Sequence, residues 1–226
     1  MTYFITAIQG LSGSIGELKW KASISEMQLL DTIIGSFLQV LLFSLIPFLT
    51  WLIFARKKEP SFFKWIGLTK PAIREWKLVL LVIAAGLLLW VLVTPLLNPL
   101  MDQSATTDYS RDGFTPLALI QVLFMSFIKT GLSEEILFRG FLGKRLISKF
   151  GFAVGNTIQA VLFGAAHSFI ILSGCGIMLT LALVAIAAVI GWLQGLLNEK
   201  AANGSIFPSF LLHGISNTVT GVMAMF

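Results

Sequence analysis

The chain has 226 residues, of which 56% are hydrophobic and 12% are charged, and its formal net charge is +5. Soluble domains carry about 25% charged residues, so this composition excludes an ordinary soluble domain and predicts an integral membrane protein. A single cysteine excludes an internal disulfide. We expect residues 1–226 to form one membrane domain, because no segment outside the apolar runs is long enough to fold alone.

The apolar runs predict an all-α polytopic bundle with six transmembrane helices. Residues 1–27 mix charged and apolar side chains without the pattern of a signal peptide, which favours an interfacial N-terminal segment. The third run is too long for a simple crossing and must tilt, kink or protrude. A short turn after it, SKFGF (148–152), makes the third and fourth helices antiparallel neighbours. The six helices are expected at about 30–54, 78–98, 114–148, 152–171, 176–197 and 206–225.

The basic residues of the loops predict the orientation. Cytoplasmic loops of membrane proteins are rich in Lys and Arg, so we expect the 56–77 loop to be cytoplasmic and both termini to be outside. We expect the membrane to be that of a prokaryotic cell. Basic residues in cytoplasmic loops account for the positive net charge of the chain. We therefore expect the lipid bilayer as a partner and no nucleic acid. The loop contains Arg56, Lys57, Lys58, Lys64, Lys70, Arg74 and Lys77.

Charged residues inside the third apolar run, GLSEEILFRGFL (131–142), need an explanation. A charge at the centre of a lipid-exposed helix costs about 2.5–3.5 kcal/mol, so such residues face a protein interior or a wet cavity. Glu135 and Arg139 are four residues apart and share a helix face, which predicts a structural ion pair. Glu134 lies about 100° away around the helix and is left without a local partner. Lys129, a further charge in this run, receives no assigned role.

The two histidines of the chain also lie in apolar helices. Glu134 and His167 are equally distant from the short turn, so an antiparallel helix pair would place them at the same depth. The last helix contributes His213 and Asn217, which are four residues apart on one face. The sequence therefore predicts a carboxylate and imidazoles that meet within the membrane.

Such a set suits hydrolysis of a peptide bond by water, which needs a base and donors for the oxyanion. Glu134 would take the proton of the water, His167 would hold the water, and His213 with Asn217 would donate to the oxyanion. A second version places zinc on Glu134, His167 and His213. The HExxH motif of familiar zinc proteases is absent from the sequence.

Three short segments resemble the motifs of a known family. EEILFR (134–139), FGAAH (163–167) and HGISN (213–217) resemble EExxxR, FxxxH and HxxxN. In this order on successive membrane helices they resemble the CPBP (CAAX protease and bacteriocin-processing) intramembrane proteases, the Abi group, across 114–226.

The resemblance implies an all-helical membrane endopeptidase with its catalytic core in 114–226. It makes Glu134 the base and His167 the residue that binds the water, with His213 and Asn217 as the oxyanion site. It gives the pair Glu135 and Arg139 a supporting role and Phe163 a place in the lining of the site. It favours glutamate-activated water without a cofactor, and a membrane-associated peptide or protein as the substrate.

Two other classes of function stay open on the sequence. A proton-coupled carrier could use Glu134 and the histidines as a proton relay, and a flux assay in liposomes would detect it. A non-catalytic bacteriocin-immunity or membrane scaffold protein could retain the same residues. Protection that survives Glu134→Ala would favour that second class.

Overall fold

The computed structural model describes residues 2–101, 114–172, 177–223 and 225–226. Within these ranges the chain forms helices and turns and no β-strand, which confirms the all-α prediction. The α-helices are α1 (Thr2–Thr50), α2 (Phe62–Trp65), α3 (Trp76–Met101), α4 (Pro116–Leu123), α5 (Lys144–Phe150), α6 (Phe152–Leu172), α7 (Ile177–Leu196) and α8 (Phe207–Met223). The π-helical segments are Trp51–Ala55, Phe124–Leu132, Glu135–Gly143 and Leu197–Ala201.

Several helical stretches have the length and composition needed to cross a membrane. Among the described residues these are Glu26–Ala55, Pro116–Phe150 and Ile177–Ala201, with mean hydropathies of 2.2, 1.4 and 2.3. The first part of α3, Trp76–Leu89, is also apolar. The chain is therefore an integral membrane protein, as its composition predicts. Helices α6 and α8 lie where the fourth and sixth spans are expected, but the count of six spans stays a prediction.

Helix α1 continues without a break from the N-terminal segment into the first apolar run. The predicted division between residues 1–27 and the first span therefore coincides with no helix boundary. The interfacial placement of residues 1–27, the single membrane domain 1–226 and the catalytic core 114–226 stay predictions.

The third apolar run contains two π-helical segments of nine residues each. In a π-helix the backbone N–H bonds to the carbonyl five residues back, and such segments are rare and concentrated at functional sites. The Thr130 hydroxyl follows the same spacing, because it donates to the Met125 carbonyl oxygen at 2.9 Å. The tilt, kink or protrusion expected of this long run stays a prediction.

The predicted hairpin between the third and fourth helices is present. Helix α5 ends at Gly151, whose φ of 79° is a conformation that glycine adopts without steric cost. Helix α6 then packs back against α5 and along α7. Gly164 permits the close approach of α6 and α7, because an added Cβ would lie 2.5 Å from the Val184 carbonyl oxygen. The hairpin brings the second and first motifs to the same part of the bundle.

The 56–77 loop packs against the turn that precedes α8. Ile66, which is fully buried, forms a cluster with Ile136 and Ile206. The Ile206 N–H donates to the Gly67 carbonyl oxygen at 2.9 Å, and the Ser205 hydroxyl donates to the Thr69 carbonyl oxygen at 2.6 Å. These contacts fix the start of the helix that carries the third motif. The cytoplasmic location of this loop stays a prediction.

Candidate active site

The Glu135 carboxylate is the centre of a buried polar cluster. Its side chain has no exposed surface, and its Oε1 lies 3.4 Å from Arg139 Nη1. The spacing of these two residues predicted this ion pair, and the structure confirms it. Two further contacts come from α8: the Ser209 hydroxyl donates to Oε2, and His213 Nδ1 lies 3.2 Å from Oε1. The pair therefore belongs to a larger arrangement that includes an imidazole.

The Arg139 guanidinium is held from two further sides. It lies over the Phe163 ring, 3.9 Å from the ring centroid, and Nη2 donates to Gln194 Oε1. A cation over an aromatic face is attracted by the negative face of the ring, and more strongly where water is excluded. The arginine therefore connects the first motif to the second motif and to α7.

The Glu134 carboxylate lies beside the imidazole of the third motif. Its side chain is 16% exposed, and its Oε2 is buried with no hydrogen-bond partner in the described part of the chain. His213 Nε2 lies 3.7 Å from this oxygen. The His213 ring therefore lies between the carboxylates of Glu134 and Glu135, with one ring nitrogen toward each.

His167 contacts both the ring and the backbone of Phe163. Its Nδ1 lies 2.8 Å from the Phe163 carbonyl oxygen, and since a carbonyl only accepts, Nδ1 carries a proton. The Phe163 ring centroid lies 4.7 Å from that of His167 and 6.2 Å from that of His213. Phe163, 4% exposed, thus contacts both imidazoles.

The structure shows no direct bond between Glu134 and His167, although both lie in the described ranges. The imidazole that contacts Glu134 is that of His213, on the last helix. The predicted equal depth of Glu134 and His167 assumes regular α-helix, whereas the π-helical segment Glu135–Gly143 lies between Glu134 and the turn. Their equal depth stays a prediction. A water between Glu134 and His167 stays a prediction.

Asn217 is oriented by the third apolar run. Its Nδ2 donates to Thr130 Oγ1 at 2.9 Å, across the contact between α8 and the Phe124–Leu132 segment. A side-chain amide has two N–H donors, so one remains available to another acceptor.

Polar groups of the second and third motifs line a cavity of about 300 Å³. His167, His213 and Asn217 line it together with Phe163 and Gln194. Aliphatic side chains of α3, α7 and α8 supply the rest of its wall: Leu89, Val93, Leu183, Ile186, Ile190 and Leu212. The cavity is thus mostly apolar with a few polar groups, which is typical of ligand pockets.

The side chains suggested for zinc do not come together as a ligand set. Within the described ranges no group of three His, Cys, Asp or Glu side chains is arranged to hold a metal ion. Of Glu134, His167 and His213, the first and last are in contact, and His167 bonds through Nδ1 to a backbone carbonyl. We therefore derive no step through zinc. The expectation that no cofactor is needed stays a prediction.

Residues 116–219 match the family model described as Rce1-like, type II CAAX prenyl endopeptidase. This segment belongs to the Rce1-like family. The matched range includes all three motifs, so the resemblance of this segment to the CPBP proteases is confirmed. Searches of curated proteins and of solved structures returned no match.

Four side chains of the Rce1-like site escaped the sequence reasoning: Thr130, Gln194, Asn198 and Ser209. Each is polar and lies within an apolar run, which is itself a signal of function or of helix contact. Gln194 and Asn198 are also four residues apart, the same spacing as Glu135 and Arg139. That repeated spacing would have indicated a second polar face turned toward the first.

Proposed function

We propose that the Rce1-like chain hydrolyses a peptide bond of a membrane-associated protein or peptide with water activated by Glu134. The observation that carries this proposal is the buried Oε2 of Glu134, which has no hydrogen-bond partner in the described chain and lies beside His213. A general base needs an uncommitted acceptor of this kind within reach of the proton that it removes. Glu135, by contrast, is saturated by Arg139, Ser209 and His213.

The first step forms the bond between water and the peptide carbonyl. Glu134 accepts a proton from the water while the water oxygen attacks the carbonyl carbon. His167 accepts a hydrogen bond at Nε2 from the second O–H of the water, which keeps that hydrogen. The electron pair of the carbonyl moves to its oxygen and gives a tetrahedral oxyanion.

The oxyanion receives hydrogen bonds from the third motif. Asn217 uses the N–H that Thr130 does not occupy. His213 donates from Nε2 when both ring nitrogens carry protons, since Nδ1 faces Glu135. The C–N bond then breaks, and Glu134 returns its proton to the leaving nitrogen. The products are a new carboxyl group and a new amine.

The walls of the cavity support a membrane-associated substrate. The aliphatic side chains of the lining come mainly from α3 and α7. A substrate segment held in or at the bilayer can pack its own apolar groups against them. CAAX prenyl substrates belong to the description of the family. For this chain we propose the broader class of membrane-associated peptides.

A comparison of membrane proteomes tests the proposed function and identifies the substrate. Cells that express the unaltered chain are compared with cells that express Glu134→Gln at equal level. Glu75→Gln, at an exposed position, is the matched control. We expect shortened forms of one or a few membrane-associated proteins with the unaltered chain and the control, and their absence with Glu134→Gln. Identical proteomes for all three would contradict the proposal.

Metal removal tests the glutamate-activated version of the mechanism. Purified protein should retain cleavage in a strong chelator, because the proposed steps use Glu134 and the imidazoles alone. Elemental analysis of the same sample is the accompanying measurement. Loss of cleavage in the chelator, with recovery on addition of zinc, would replace this mechanism with a metal-dependent one.

A further inference from the structure

A pair of buried side chains outside the three motifs holds the Glu135 carboxylate. Asn198 lies in the π-helical segment Leu197–Ala201 that follows α7 and is 1% exposed. Ser209 lies in the first turn of α8 and has no exposed surface. Asn198 Nδ2 donates to Ser209 Oγ at 2.7 Å, and Asn198 Oδ1 accepts the Ser209 backbone N–H at 3.3 Å. The backbone N–H only donates, so it fixes which end of the Asn198 amide faces each group.

The fixed amide determines where the Ser209 hydroxyl proton goes. Asn198 occupies an acceptor position of Oγ, so the hydroxyl must donate elsewhere. Two acceptors lie within reach, Glu135 Oε2 and the Ile206 carbonyl oxygen, the latter at 3.0 Å. An ionised acceptor forms the stronger hydrogen bond, and the site is closed to water that could compete. The hydroxyl therefore donates to Glu135.

The position of the Glu135 carboxylate in turn fixes a proton on the His213 ring. With Oε2 bound by Ser209, Oε1 faces His213 Nδ1 at 3.2 Å. A carboxylate in this position accepts, so Nδ1 carries a proton. The other ring nitrogen, Nε2, is then the one that faces Glu134. Nδ1 thus keeps its proton whether or not Nε2 is also protonated, and a loose Glu135 carboxylate would remove this constraint on Nδ1.

Helix α7 and the π-helical segment Leu197–Ala201 that continues it contact both members of the Glu135–Arg139 pair in this way. Gln194 accepts from Arg139, and Asn198 acts on Glu135 through Ser209. Gln194 and Asn198 are four residues apart, as are the two residues that they hold. One continuous helical stretch thus sets the position of the charged pair.

We propose that Ser209 and Asn198 are positioning residues that, through Glu135, fix the protonated ring nitrogen of His213. The effect of these residues on the rate rests on the proposed function. Their effect on the His213 ring is a property of the protein that is measured without substrate. The two claims can therefore fail separately.

Nitrogen NMR of the histidine rings tests the proposal directly. The chain has two histidines, so ¹⁵N-histidine labelling gives few signals, and His167→Gln assigns them. In the unaltered protein we expect His213 Nδ1 to be protonated. Ser209→Ala should give a mixture of ring protonation patterns, and Ser209→Thr, which keeps the hydroxyl, should restore the original pattern. Thr218→Val is the control, because the Thr218 hydroxyl on α8 donates to the Gly214 carbonyl oxygen of its own helix.

Cleavage kinetics supply the second measurement. Ser209→Ala should lower kcat by about tenfold to a hundredfold with little change in KM, the scale of one lost hydrogen bond to a charged group. Ser209→Thr should recover the rate. If Ser209→Ala does not fold, Asn198→Leu tests the same chain of contacts, with the same change in the His213 signals.

Several results would overturn the proposal. An unchanged Nδ1-protonated His213 in Ser209→Ala and Asn198→Leu would show that Glu135 needs no support. A Ser209→Thr variant that matches Ser209→Ala, or an equal loss of kcat in Thr218→Val, would show a packing effect. Absence of cleavage by the unaltered protein would contradict the proposed function and leave the NMR result to decide the positioning role.

Discussion

At the scale of single residues, the buried charges of the first motif are a matter of stability as well as catalysis. Arg139→Ala leaves the Glu135 carboxylate buried without its cation. Breaking a buried pair in this way costs about 3–5 kcal/mol, so we expect a clear fall in the thermal unfolding midpoint in detergent. Lys64→Ala is the control, because the Lys64–Glu59 pair is largely exposed and should contribute little. Equal midpoints for the two variants would contradict the account of the pair.

Asn217 should matter more for the rate than the residue that orients it. Asn217→Ala removes a donor from the proposed oxyanion site, and the loss of one such donor lowers kcat by about 10²–10³. Thr130→Val keeps the donor but removes its hydrogen-bond acceptor, so a smaller loss of kcat is expected. Steady-state kinetics of both variants check this order. A reversed order would assign the role in catalysis to Thr130 instead.

The sequence predicted contacts between residues of the same helix, but not contacts between residues that are far apart in the sequence. The Glu135–Arg139 pair follows from a spacing within one helix. The contact between Glu135 and His213 spans 78 positions and depends on how α8 packs against the Glu135–Gly143 segment. The spacing argument likewise left Glu134 without a partner but did not show that His213 would lie beside it. Packing between helices determines these contacts, and helical periodicity carries no information on it.

At the scale of elements, the hairpin and the helix-rich architecture were predictable, whereas the π-helical segments were not. The lengths of the apolar runs predict the helices, and the short glycine-containing turn predicts the hairpin. The π-helical segments coincide with side-chain hydrogen bonds to the backbone, such as that from the Thr130 hydroxyl to the Met125 carbonyl oxygen. The equal depth of Glu134 and His167 was predicted for regular α-helix and stays a prediction.

The approach of α6 to α7 provides a test at this scale. Gly164→Ala places a methyl group against backbone of α7, where little adjustment is available. Overpacking of this kind costs about 1–3 kcal/mol, so the unfolding midpoint should fall. Gly35→Ala is the matched control in α1, because its Cβ would meet no atom within 4 Å. This control should leave the midpoint unchanged or raise it slightly, since alanine is the better helix former.

At the scale of the whole molecule, the composition predicted the membrane and the loops predicted an orientation. Three described stretches are long and apolar enough to cross, and α3, α6 and α8 lie at the other predicted spans. Length and hydropathy therefore identify the class of protein more securely than the number of crossings. The crossings of α6 and α8 depend on how the bundle sits in the bilayer, which is a property of the assembly of helices.

Cysteine labelling tests the orientation. Starting from Cys175→Ser, which leaves no cysteine in the chain, Lys58→Cys introduces a single thiol in the basic loop. A membrane-impermeant thiol reagent should label it in inside-out vesicles and not in intact cells, because Lys and Arg concentrate in cytoplasmic loops. Labelling in intact cells would reverse the orientation.

The central claim is that Glu134 is the base of a membrane protease, and reconstituted cleavage tests it most directly. Purified protein in liposomes is supplied with the membrane-associated peptide that the proteome comparison identifies. Glu134→Gln should lower kcat by at least about a hundredfold, the lower range for loss of a general base, with an unchanged unfolding midpoint. Cleavage by Glu134→Gln at a rate close to that of the unaltered protein would contradict the account.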